Sequence, residues 1–226
     1  EACLVGSEMC IRDRGINFMA EQIGLSLPVQ SSSGIDDFLI SDCNSMALSL
    51  LEDWENWPNL KHTLSGPAAS GKTHLGRIWA KKTNAFFIDA KTLKISDVDK
   101  IATTPLAIDN VSEMNAVSEL EEALFHVHNL LQERKLPFLL IGTGSPKFWN
   151  ISLSDLNSRI QGARNAQINE IDEKLFPLLM AKLFADRQMY PSPDVFEYLN
   201  RRIDRSFWSI NIIVEKIDQI SIEEKR

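Results

Sequence analysis

The chain has 226 residues, with 24 Lys and Arg against 31 Asp and Glu, a formal net charge of −7. That length suits one α/β domain with a small appendage, and the acidic balance argues against a surface built to neutralise many nucleic-acid phosphates. No apolar run reaches the roughly 18–20 residues of a membrane span, and three cysteines (Cys3, Cys10, Cys43) without a CxxC pair or histidine cluster fit a reducing cytoplasm.

Glu1 to Phe18 has no helical or strand period and no signal-peptide layout. It reads as a translated adapter scar ahead of a natural start at Met19. Residues 19–34 follow as an extended arm, apolar through Leu25 and Leu27 and then serine-rich at Ser31–Ser33. From Asn44 to Trp57, Met46, Ala47, Leu50, Leu51 and Trp54 recur at helical spacing. Leu60–Leu64 runs as a strand into Gly66, and Leu75, Ile78 and Trp79 mark a helix over Lys72–Lys82. Ala85–Ile88 and Leu106–Ile108 are the next strands, followed by a helix over Ala116–Glu133 and a strand at Pro137–Ile141. Such alternation indicates a parallel sheet wrapped by helices. After Ile171 the pattern turns all-helical, over Lys174–Met189, Ser192–Arg202 and Phe207–Ile220. The expected division is an α/β domain at 35–171 and a helical lid at 172–226.

Gly66-Pro67-Ala68-Ala69-Ser70-Gly71-Lys72-Thr73 matches the full P-loop pattern G-x-x-x-x-G-K-[ST] between a predicted strand and a predicted helix. Glycines let successive backbone amides turn towards phosphate oxygens, and the helix start adds its positive end. Lys72 would reach the β- and γ-phosphates of ATP or ADP, and Thr73 would ligate Mg²⁺. The strand Leu106-Ala107-Ile108-Asp109 ends in a carboxylate suited to the same Mg²⁺. Asn110 follows it, and an amide can orient water but cannot accept its proton. Glu113 lies three residues on and could substitute, although a solvated loop carboxylate is its plainer role. Nucleotide binding is therefore expected, with hydrolysis weak or dependent on a partner.

These motifs, with Leu153-Ser154-Asp155-Leu156-Asn157-Ser158-Arg159, resemble the AAA+ proteins related to the replication initiator DnaA. The resemblance implies a P-loop NTPase (AAA+) α/β fold with a C-terminal all-helical lid, and it gives Arg159 the place of an arginine finger acting in trans. Ile35–Ser41 followed by Asn44 is similar to a family segment along the adenine pocket, and Gly71-Lys72-Thr73-His74-Leu75 to its P-loop continuation. Gln22-Ile23-Gly24-Leu25-Ser26-Leu27 is similar to the peptide that binds the DNA polymerase sliding clamp. Ile23, Leu25 and Leu27 would anchor there while the Gln22 amide sets register. A clamp peptide ahead of a DnaA-like core, with Asp109-Asn110 and no terminal DNA-binding domain, resembles the Hda-like regulators within the family. That implies DnaA and the sliding clamp as partners, negative regulation of initiation, no strong DNA binding, and room for a homo-oligomer. The alternatives are an autonomous ATPase such as a helicase loader, or an initiator that binds origin DNA. Two sensor positions depart from the family: Ile141–Pro146 lacks an Asp, leaving Thr143, and Trp208 stands where an arginine is expected, leaving Arg205 one turn earlier. The Glu-Glu-Lys-Arg end reads as a truncation, which would leave the lid incomplete.

Overall fold

The computed structural model describes residues 38–224. The clamp-peptide residues Gln22, Ile23, Leu25 and Leu27 lie outside the described residues, as do Ile35, Asp36 and Asp37. Helix α1 (Ser45–Glu52) leads to β1 (Lys61–Gly66), α2 (Lys72–Thr83), β2 (Phe86–Asp89) and the single-turn α3 (Val98–Ile101). Then come β3 (Leu106–Asp109), α4 (Ser118–Glu133), β4 (Phe138–Thr143), α5 (Ser154–Gln161) and β5 (Arg164–Gln167). The lid helices are α6 (Leu175–Asp186), α7 (Pro193–Arg202) and α8 (Phe207–Glu224). The helix expected over Asn44–Trp57 is shorter, because the chain leaves the helical path at Asp53 and Trp54–Asn56 forms one 3-10 turn.

The five strands are parallel and lie in the order β2-β3-β4-β1-β5. Strands buried on both faces read as continuous apolar runs, as β3 and β4 do. Along β4 the side chains alternate between two layers. Leu139 and Ile141 pack with Leu64, Leu75 and Trp79, whereas Phe138 and Leu140 pack with Leu124, Val127 and Leu131 of α4. The edge strand β5, Arg-Asn-Ala-Gln, has no apolar run and is absent from the predicted strands. Side-chain bonds pin it instead: Thr63 Oγ1 donates to Asn165 Oδ1 (3.0 Å), and Asn165 Nδ2 donates to Ser65 Oγ (2.9 Å). The lid extends the first layer with Phe176, Met180, Phe184, Phe207, Ile210 and Val214. Asp172 Oδ1 starts α6 by accepting from the amides of Lys174 (3.0 Å) and Leu175 (2.7 Å).

Two histidines are buried in this frame. His62 on β1 stacks on Trp57 (4.4 Å between centroids), which in turn stacks on Trp79 (5.2 Å). His128 on α4 meets the ring of Phe138 edge-on at 5.6 Å. Burial pushes both imidazoles down to about 4; Lys61 and Arg159 push His128 in the same direction. Below pH 6.5 the unfolded chain therefore takes up protons that the folded chain refuses. Stability is full above that value and falls as the pH drops towards 4. At pH 5 the expected loss is about 2 kcal/mol for each histidine. Melting curves at pH 7.5 and pH 5 check this, and His62→Gln with His128→Gln should flatten the difference. An unchanged melting temperature in the parent chain would mean that neither ring is desolvated.

Candidate functional site

The carboxyl ends of β1, β3 and β4 meet at one edge of the sheet, with the register pairing Gly66 to Thr143. β1 stops at Gly66, where a side chain has no room: a Cβ would lie 2.9 Å from both Cβ and O of Ile168. The loop passes through left-handed Ala69 (φ 61°) and Gly71 (φ 83°), and α2 begins at Lys72. Its first turn carries no acidic side chain, so its free amides and positive dipole end stay available to an anion.

A cavity of about 650 Å³ opens above this turn. It is lined by Ala68, Ala69, Ser70, Gly71, Lys72, Thr73 and His74 of the loop and α2, joined by Asp109, Asn110 and Thr143 from the neighbouring strand ends. Gly66 and Pro67 instead border a second cavity, of about 500 Å³, on the β5 side. Lys72 is 8% exposed, and its ammonium donates to the carbonyl of Pro67. Burial pushes it below the usual lysine range, while Asp109 and Glu113 pull it back. Ser70 Oγ is buried with no hydrogen-bond partner. A buried cation beside an orphaned hydroxyl and a helix start fits a polyphosphate. For a metal, Asp109 (5% exposed) and the Thr73 hydroxyl supply hard oxygen donors. Among the described residues no three His, Cys, Asp or Glu side chains converge as a metal cage, so Mg²⁺ would sit on those two groups, water and phosphate.

Asn110 is left-handed (φ 58°), and its amide nitrogen is committed: Nδ2 donates to Asp89 Oδ2 at 2.6 Å. Asp89 ends β2 in register with Asp109, and its other oxygen accepts from the Lys91 amide (2.8 Å). The repeated strand-ending Asp was a sequence signal for this partner. Glu113 lines the cavity but is held by Lys91 at 2.5 Å. Thr143 is anchored through its backbone, its amide donating to Ser112 Oγ (2.9 Å) and its carbonyl accepting from Trp149 Nε1 (3.1 Å). His74 lies parallel to Phe38 with centroids 5.9 Å apart.

Two of the expected residues are absent from the cavity lining. Asn44 does not line the cavity: it is buried in its own segment, Oδ1 accepting from the Ser41 amide and Nδ2 donating to Leu39 O, both at 2.9 Å. Arg205 is likewise absent from the lining, and its guanidinium donates to Glu173 Oε1. The lid residue that reaches the cavity is Asn211, on the face of α8 one turn past Trp208. Trp208 itself is 57% exposed.

Arg159 is far from this edge. Lys61, the first residue of β1, donates from Nζ to the Arg159 carbonyl at 2.7 Å, whereas the phosphate loop leaves the last. The five steps from Lys61 to Gly66, at about 3.3 Å each, place roughly 17 Å between those ends. The guanidinium stacks over Phe125 (4.6 Å to the ring centre) and donates to Asn129 Oδ1 on α4.

No protein-family model matches the chain. Solved structures do. Domain III of the Thermotoga maritima replication initiation protein DnaA aligns with a TM-score of 0.71 at 16% identity, covering 88% of this chain and 93% of that one. AMPPCP-bound DnaA from Aquifex aeolicus aligns at 0.66 and 16% identity, covering 84% of this chain and 66% of that one. The Thermotoga maritima RuvB Holliday junction branch migration motor aligns at 0.61 and 21%, covering 86% and 67%. The chain has a P-loop AAA+ fold. The likeness agrees with the five-stranded parallel sheet flanked by helices. No described helix is long and apolar enough to cross a membrane.

Proposed function

We propose that the chain binds ATP or ADP with Mg²⁺ at Gly66–Thr73 and regulates replication initiation by stimulating ATP hydrolysis on DnaA, together with the sliding clamp. The observation that carries this reading is the position of Arg159. It lies at the end of the sheet opposite its own phosphate loop, too far to serve a nucleotide bound there, and this placement supports a role in trans. Self-catalysed hydrolysis is poorly equipped. Neither Asn110 nor Thr143 can take a proton from water, Glu113 is paired with Lys91, and the lid offers Asn211 instead of a cation. The AMPPCP-bound DnaA neighbour supports a nucleotide in this fold, and Gln22–Leu27 supplies the clamp contact.

The test is ATP turnover by DnaA with this protein and DNA-loaded clamp, against each component alone. Stimulation only in the full mixture is expected. Rapid turnover by this protein alone would instead make it an autonomous ATPase. Gln22→Ala should weaken clamp binding on the order of tenfold, the loss of one well-placed hydrogen bond; unchanged affinity would remove the clamp from the reading.

A further inference from the structure

Arg159 is held entirely by neutral groups. Its Nη1 donates to Asn129 Oδ1 and lies 3.2 Å from His128 Nδ1, and its plane rests on Phe125. Lys61 sits beside it, Nζ meeting His128 Nε2 (3.2 Å) and the Arg159 carbonyl (2.7 Å). Among the described residues neither cation forms an ion pair, although acidic residues outnumber basic ones in the chain. His128 is buried, and its protonation is suppressed by burial and by the two cations. A neutral imidazole has one acceptor nitrogen, so His128 takes a bond from either Lys61 or Arg159, in both cases without adding or cancelling charge.

A carboxylate would hold a guanidinium more tightly than an amide does, but it would cancel the field on which a phosphate-binding cation depends. An amide oxygen, a ring face and a neutral imidazole fix direction and leave the charge whole. We propose that Asn129, backed by His128 and Phe125, is a positioning residue that presents Arg159, with Lys61 beside it, as an uncompensated cation pair for the polyphosphate bound on a second protein. This rests on the trans role proposed for Arg159, and names the residues that prepare it.

Asn129→Asp separates positioning from mere support, because it keeps the shape and strengthens the hold on Arg159. Its melting temperature should match or exceed that of the parent. Its stimulation of ATP turnover on DnaA should fall roughly tenfold or more in kcat, with little change in the protein concentration giving half-effect. Asn129→Ala, which frees the guanidinium, should also lose stimulation. Arg159→Ala is run in parallel. If Arg159→Ala loses stimulation while Asn129→Asp retains it in full, the positioning role is overturned and the trans role stands. If Arg159→Ala stimulates normally, the trans role falls, and the role of Asn129 with it.

Discussion

Lys72→Ala should abolish the thermal stabilisation that ADP or ATP with Mg²⁺ confers, while leaving the ligand-free protein as stable as before. A ligand at 100 times its dissociation constant adds about 2.7 kcal/mol to the folded state. For a chain of this size, that corresponds to a rise of roughly 5–10 °C in melting temperature. The variant should lose nearly all of it, because the ammonium is the one cation carried at the loop itself; Arg77, which also lines the cavity, is stacked over Phe87. The ligand-free half of the expectation follows from burial. Lys72 is held as a cation in a site that disfavours charge, satisfied by one carbonyl and by Asp109 and Glu113 nearby. Removing it relieves that desolvation and deletes one hydrogen bond, two effects of opposite sign. Differential scanning fluorimetry with and without nucleotide measures both halves. A full shift retained in Lys72→Ala would mean that the loop does not cradle phosphate.

Arg159→Ala should reduce stimulated hydrolysis on DnaA by about 10³-fold, at the lower end of what an arginine finger contributes. Its guanidinium would neutralise charge developing as the γ-phosphate leaves, and an alanine would leave that charge to water. The fold should tolerate the change. The side chain is half-buried and linked to Asn129 and Phe125, contacts worth about 1 kcal/mol. Single-turnover measurements with DnaA, clamp and DNA decide it, and undiminished turnover in the variant would end the trans role. Lys in place of Arg159 should recover little, since it lacks the planar fork that bonds two phosphate oxygens together.

The phosphate loop was legible because its chemistry is local. Eight consecutive residues must supply glycines for the turn, amides for the anion and one cation, so spacing alone reveals them. Asp109 was legible for a related reason: an apolar strand that ends in a carboxylate announces where the chain leaves the core. β3 and β4 declared themselves through unbroken apolar runs. β5 could not, since Arg164–Gln167 is held at the sheet edge by Asn165 bonding Thr63 and Ser65 about 100 positions away in the chain. Asn44 and Arg205 were assigned to the nucleotide by family position. The partners that claim them, Leu39 and Ser41 in one case and Glu173 in the other, show only once the backbone is folded.

The sequence by itself therefore determined the P-loop, the carboxylate that ends β3 beside it, the alternation of strands and helices, and the switch to C-terminal helices. Each of these depends on periodicity or on neighbours within a few residues. The tertiary structure alone decided strand order, the pairing of Asn110 with Asp89, the arrival of Asn211 at the cavity, and the neutral setting of Arg159 among Phe125, His128 and Asn129. Those features arise where distant segments are packed side by side. What they contribute is electrostatic: which charges are cancelled and which stay exposed depends on the groups that burial brings together.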